Sequence, residues 1–299
     1  MLVALVACAV PVPKRQALND FNDVRSASRS MALALAGQLG TRDDLHLVQL
    51  GPVVSADSGE MVRSGTDMQT LVMLDLQGFL PKHIIKKLDT QDTGSAWAIS
   101  GVVRYVKSAQ PSEEGWFKVE LSASDPTGRV MPVVAGRINP RQFDPTPARF
   151  FQESTIYFVD SHTRQRSAVA MPDGGVVNVE KRNKFMQVEA GLDAAIRAYE
   201  EANFSESERL FDQVNLLSAG NMTALFGYYQ SLLAQKRFKD AELALVAVID
   251  AGIAEKILSF RIFFRVGSTE FRDDLPLSLI HISEPTRRTP ISYAVFCLK

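Results

Sequence analysis

Cysteine is almost missing from this sequence: Cys8 and Cys297 are the two thiols in 299 residues, one near each end. Two such positions exclude a disulfide framework and a zinc cage built from cysteine ligands. A surplus of charge is lacking as well, since 33 basic residues face 34 acidic ones for a net charge of −1. That balance excludes a basic platform that grips nucleic acid by counterion release. No apolar run approaches the roughly 18 to 20 residues that cross a bilayer; the longest clean one is Met1 to Val10. What remains is the composition of a folded protein, because 46% hydrophobic and 22% charged residues suffice to bury a core, and the length allows two domains.

The common catalytic signatures are also missing. There is no Gly-rich phosphate loop followed by Lys-Ser/Thr, no His-Glu-x-x-His and no Gly-x-Ser-x-Gly. His46, His83 and His162 are isolated in sequence and read as surface or strand-end histidines. Asp92-Thr93-Gly94-Ser95 spells the loop of the aspartic proteases, and Asp57-Ser58-Gly59 offers a second carboxylate. That chemistry needs two aspartates face to face, each on a tight loop fed by an apolar strand. Here the polar stretch Lys86 to Gln91 precedes the better match, and the copies lie 35 positions apart, too close for two lobes. Both are read as turns, and a peptidase is the unfavoured alternative. No catalytic, cofactor-binding or metal-ligating residue is assigned.

Periodicity divides the chain. Leu18, Phe21, Val24, Met31, Leu35 and Leu39 recur at helical spacing up to Gly40. A strand is expected over Leu45 to Leu50, a polar connection over Gly51 to Gly65, and a second helix over Thr66 to Leu76 with Thr66 and Asp67 as caps and Gly78 and Pro81 as breakers. Ala96 to Lys107, Trp116 to Ser124 and Val130 to Ile138 read as three strands of an antiparallel meander. Phe117, Val119, Leu121 and Ala123 alternate with Lys118, Glu120 and Ser122, the period of a strand. Asp125-Pro126-Thr127-Gly128 is its second turn. Phe150, Phe151 and Ile156 to Val159 suggest a further strand or a short helix and strand. A linker is placed at residues 161–187.

From Val188 the pattern is helical and repeats itself. Asn203 to Phe211 aligns with Arg237 to Leu245 at an offset of 34, with Phe204 and Phe238 at the turn, Ser207 and Ala241 where helices meet, and Phe211 and Leu245 four residues on. The period and phase resemble the tetratricopeptide repeat, although Tyr229 stands where that family prefers a small residue and no proline closes either repeat. The resemblance implies a partner-binding groove, with Ala195, Ala198, Tyr228 and Tyr229 as candidate contacts; the plainer reading is a structural spacer. Fewer than three repeats rarely stand alone, so the unit is expected to pack on its neighbour.

Three further resemblances suggest a setting. Leu5-Val6-Ala7-Cys8 resembles a bacterial lipobox, which implies lipidation of Cys8, and Ala9 at the sorting position implies the outer membrane. Pro11-Val12-Pro13 then reads as a tether; the rival reading of Cys8 is a buried thiol on a short apolar strand. Gly51 to Val54, Asp57 to Glu60, Ile99 to Val103 and Asp125 to Val130 resemble the small α/β domain of envelope lipoproteins of the FlgO and CsgG type. Phe263 to Phe271 resembles the entry of an OmpA-like domain, whose peptidoglycan-gripping Asp and Arg would lie further along. Last, Leu277 to Lys299 resembles the in-frame translation of a transposase-type sequencing adapter and is expected to lie outside any core. Without it the chain carries 30 basic and 33 acidic residues, net −3.

The expected class is α+β, a helix-packed antiparallel meander domain followed by a tetratricopeptide-like helical repeat. The expected organisation is signal remnant and tether (1–16), α/β domain (17–160), linker (161–187), repeat (188–256), truncated OmpA-like start (257–276) and non-native tail (277–299). The expected function is that of a non-enzymatic lipoprotein of the outer membrane, facing the periplasm. Its partners are envelope proteins and the membrane through the anchor, with peptidoglycan reached only by the untruncated protein, and no nucleic acid. A soluble scaffold without lipid is the alternative.

Overall fold

The structure, a computed structural model, describes residues 19–40, 46–91, 93–110, 114–154 and 176–255, and the backbone of 156–157, 259–263 and 293–297. The first part runs β1 (Asn19–Phe21), α1 (Val24–Leu39), β2 (Leu47–Ser55), α2 (Arg63–Phe79), β3 (Ile84–Lys87), β4 (Trp97–Val106), β5 (Trp116–Ser124) and β6 (Val134–Ile138). These strands form one sheet of order β1-β6-β5-β4-β2-β3. The meander β4-β5-β6 is antiparallel as its alternation predicts, but β1 on β6, and β3 and β4 on β2, are parallel. The class is α+β, with a mixed sheet.

Local chemistry explains where these elements depart from the sequence reading. The helix expected from Leu18 starts at Val24, because Asp23 caps it, its Oδ1 accepting the Ser26 N–H at 2.7 Å, while Asn19–Phe21 is taken up by β6. Strand β2 does not stop at Leu50. It passes through Gly51 and Pro52 with a register shift between Leu50 and Val53, which tolerates a proline without an N–H. The Leu50 carbonyl accepts from Leu88 N at 2.8 Å and from the buried Gln69 amide at 3.0 Å. Helix α2 begins at Arg63, not at Thr66 or Asp67, and no side chain caps it. A distant loop does so instead: Arg63 N donates to Thr146 O at 2.9 Å and Ser64 N to Asp144 O at 3.1 Å. Gly78 lies inside α2 and does not interrupt it.

The remaining elements are α3 (Arg149–Gln152), β7 (Ile156–Tyr157), α4 (Val179–Glu200), α5 (Phe204–Leu217), α6 (Met222–Ala234), α7 (Phe238–Glu255), β8 (Ser259–Phe263) and β9 (Tyr293–Cys297). The expected linker therefore gives way to helix at Val179, where the Asn178 side chain accepts the Lys181 N–H at 3.0 Å. Strands β7, β8 and β9 form a second, antiparallel sheet. Five residues of the tail expected to lie outside any core pair through their backbone with β8. Tyr293, Val295 and Phe296 are strand-favouring residues, and β8 offers them an open edge.

The main sheet is covered on both faces. Met31, Leu35 and Leu39 of α1 and Met68, Val72 and Leu76 of α2 pack with Val48, Leu50, Ile99, Val119 and Leu121. On the other face Ala98 and Leu88 meet Met186 and Ala190 of α4, and Val54 and Val102 join the core of the helical repeat. Double coverage accounts for the nearly unbroken burial of β2 and β4.

Gly101 in β4 sits where a Cβ would stand 2.6 Å from Leu121 Cδ2 and 2.7 Å from Val53 Cγ2. Gly101→Ala should lower stability by about 1–3 kcal/mol, read as a lower urea midpoint at unchanged m. Gly37 is exposed within α1, and a Cβ there meets nothing within 4 Å. Gly37→Ala should instead raise the midpoint, by about 0.5–1 kcal/mol.

Candidate functional site

The 34-residue offset is reproduced in backbone geometry. Ala202 and Lys236, 34 positions apart, both hold a positive φ, 59° and 61°. Around them Asn203 N donates to Ala198 O at 2.8 Å and Arg237 N to Leu232 O at 3.0 Å. Each helix thus ends in the same left-handed closing turn, built here without glycine. Within the unit α5 is held between α4 and α6. The Ser207 hydroxyl donates to Ala195 O at 3.0 Å, and the Ser231 hydroxyl donates to Ser207 Oγ at 3.0 Å. Gly191 on α4 clears room for Val214, and Gly227 on α6 for the ring of Phe211.

A groove between such helices is where a repeat of this kind would take a peptide. Here the chain's own α3 fills it. Phe150 is fully buried among Phe211 (centroids 5.4 Å, stacked), Tyr199 (5.5 Å, edge-on) and Phe226 (6.3 Å, edge-on), with Phe151 at 4.9 Å. Its backbone is gripped too: Phe150 N donates to Glu200 Oε1 at 2.7 Å, and Gln230 Nε2 donates to Phe150 O at 3.2 Å. The Tyr199 hydroxyl donates to Glu153 Oε2 at 2.7 Å, and Arg149 Nε reaches Glu153 Oε1 at 2.6 Å. Burial first, and then the Glu153 carboxylate, push the Tyr199 phenol well above its ordinary range, so it remains a donor.

Three of the four candidate docking residues are buried. Ala195 is fully buried against Ser207, Ala198 is buried behind its closing turn, and Tyr229 is buried with its ring 5.6 Å from Phe226. Ala195 and Tyr229 belong to the core that the helices share, while the Ala198 carbonyl accepts from Asn203 N in the closing turn. Tyr228 alone of the four is half-buried, its phenol raised by burial and then by Glu208 and Asp212. Cys8, His162 and Asp92 lie outside the described residues. Asp57 stands exposed on the turn after β2.

Two features carried no local signal. Arg182 on α4 is 1% exposed, yet every polar direction of its guanidinium is used. Nε donates to Ser124 Oγ (2.9 Å), Nη1 to Thr93 O (3.3 Å) and Asn183 Oδ1 (2.9 Å), and Nη2 to Ala96 O (2.8 Å) and Ser124 O (3.3 Å). It bolts α4 to the start of β4 and the end of β5, so Thr93 of the Asp-Thr-Gly-Ser stretch is spent on this clasp. Burial pulls the guanidinium below its usual value and the Asp125 carboxylate opposes that. The second feature is a histidine pair. His46 precedes β2 and His83 precedes β3, and the parallel register, with Ile84 N donating to His46 O at 3.1 Å, brings the rings to 5.4 Å. The His46 ring also lies 5.6 Å from that of Trp97.

Phe150→Ala should cost about 3–5 kcal/mol in guanidinium denaturation. Leu216→Ala on the exposed end of α5 should stay within about 0.5 kcal/mol of the parent. Comparison of the chain with protein-family models, with curated proteins and with solved structures gives no match in any of the three.

Proposed function

We propose that the chain is a non-enzymatic interaction module of the bacterial cell envelope, a lipoprotein tethered through Cys8 to the outer membrane and facing the periplasm. The observation that carries the reading is the occupation of the repeat's inner groove by Phe150 and its neighbours. A groove filled by its own chain makes the repeat a rigid bracket welded to the sheet domain, which favours the spacer role over peptide capture. The helical unit shares a core with Val54 and Val102 of the sheet and is bolted to it by Arg182, as a mount between an anchored end and its partners requires. Envelope proteins are then met by the outside of the bracket, and contact with peptidoglycan belongs to a longer form carrying the rest of an OmpA-like domain.

A soluble scaffold without lipid is the second reading. In its favour is the apolar outer face of α7, where Leu243, Val246 and Ile253 are exposed. Metabolic labelling with palmitate in a Gram-negative host separates the two. The envelope reading expects label on the chain, its loss in Cys8→Ala and accumulation of an unprocessed form under globomycin. An unlabelled, freely soluble chain with an intact thiol overturns it.

A further inference from the structure

We propose that His46 and His83 form a two-histidine site for a borderline divalent transition-metal ion, of the class of Cu2+, Ni2+ and Zn2+, at the end of the parallel strands β2 and β3. Imidazoles sharing one tetrahedral ion at metal–nitrogen distances of about 2.0–2.1 Å place their ring centres on the order of 5 Å apart. These two lie at 5.4 Å with planes inclined by 64°. The spacing is set by paired strands and not by flexible loops, since Leu47 is in register with Ile84, the residues that follow each histidine.

The ring nitrogens point to the same conclusion. Nε2 of His46 and both nitrogens of His83 are shielded from solvent and have no hydrogen-bond partner among the described residues. Buried ring nitrogens are ordinarily hydrogen-bonded, and a neutral imidazole has one lone pair to offer a ligand. An ion shared by the pair would take one nitrogen from each ring.

Among the described residues no group of three or more His, Cys, Asp and Glu side chains converges, so of these residues the pair supplies two ligands. Its affinities should follow the general order in which Cu2+ binds most tightly.

Trp97 provides the readout. In a full-length chain carrying Cys8→Ser, Cys297→Ser and Trp116→Phe, Trp97 is the sole tryptophan and the histidine pair lies beside it. Titration with Cu2+ should quench its fluorescence to saturation at one equivalent, with Zn2+ competing. His46→Gln and His83→Gln should each raise the midpoint about ten-fold or more. Quenching with the same midpoint in the double variant would overturn the proposal. In the chain with both histidines retained, Cu2+ should broaden the amide resonances of Leu47, Ile84 and Ile85 and leave those of α7 sharp. Broadening centred elsewhere would equally overturn it.

Discussion

An amphipathic helix on a protein surface buries a stripe about 100° wide, yet α4 buries thirteen of its 22 residues, so it has to satisfy packing on two sides at once. Met186 and Ala190 lie on the sheet, while Val188, Leu192, Ala195 and Tyr199 belong to the helical core. The rest of the architecture follows from this sharing. The sheet receives its second covering layer from the repeat, and the repeat receives from the sheet the neighbour that two helical pairs lack. The buried Arg182 suits this position, since an apolar residue there would pack but would leave the carbonyls of Ala96, Thr93 and Ser124 short of donors.

The meander was legible because one face of β5 alternates cleanly, and the repeat because its period and the phase of its small and aromatic residues agree. Parallel strands β1 and β3 were not legible: with three and four residues they are too short to show a period, and pairing with β6 and β2 stabilises them. The start of α2 was misplaced because its first N–H groups are satisfied by a loop some eighty residues away, which no local cap reveals. The closing turns at Ala202 and Lys236 were hidden for the opposite reason, since residues other than glycine occupy left-handed positions that sequence rules reserve for it.

The candidate site was half legible. Helix contacts around Ser207 and Phe211 were visible, but the same family pattern that located them also named Ala195, Ala198 and Tyr229 as docking residues. Family pattern marks where helices touch, and whether a groove stays open depends on what else the chain brings to it. Phe150 comes from a segment 49 residues before Tyr199, and nothing in Arg149-Phe150-Phe151-Gln152 by itself says where the rings go. His46 and His83 were dismissed as isolated because sequence distance hides the parallel register that unites them.

The packing of Phe150 and the shared helix α4 give the helical unit a direction. Its inner side is closed by the sheet and by Phe150, whereas the outer side of α7 shows Leu243, Val246 and Ile253 to solvent. Among the described residues, the outer side of α7 is therefore the face on which another helical layer would stack, away from the sheet.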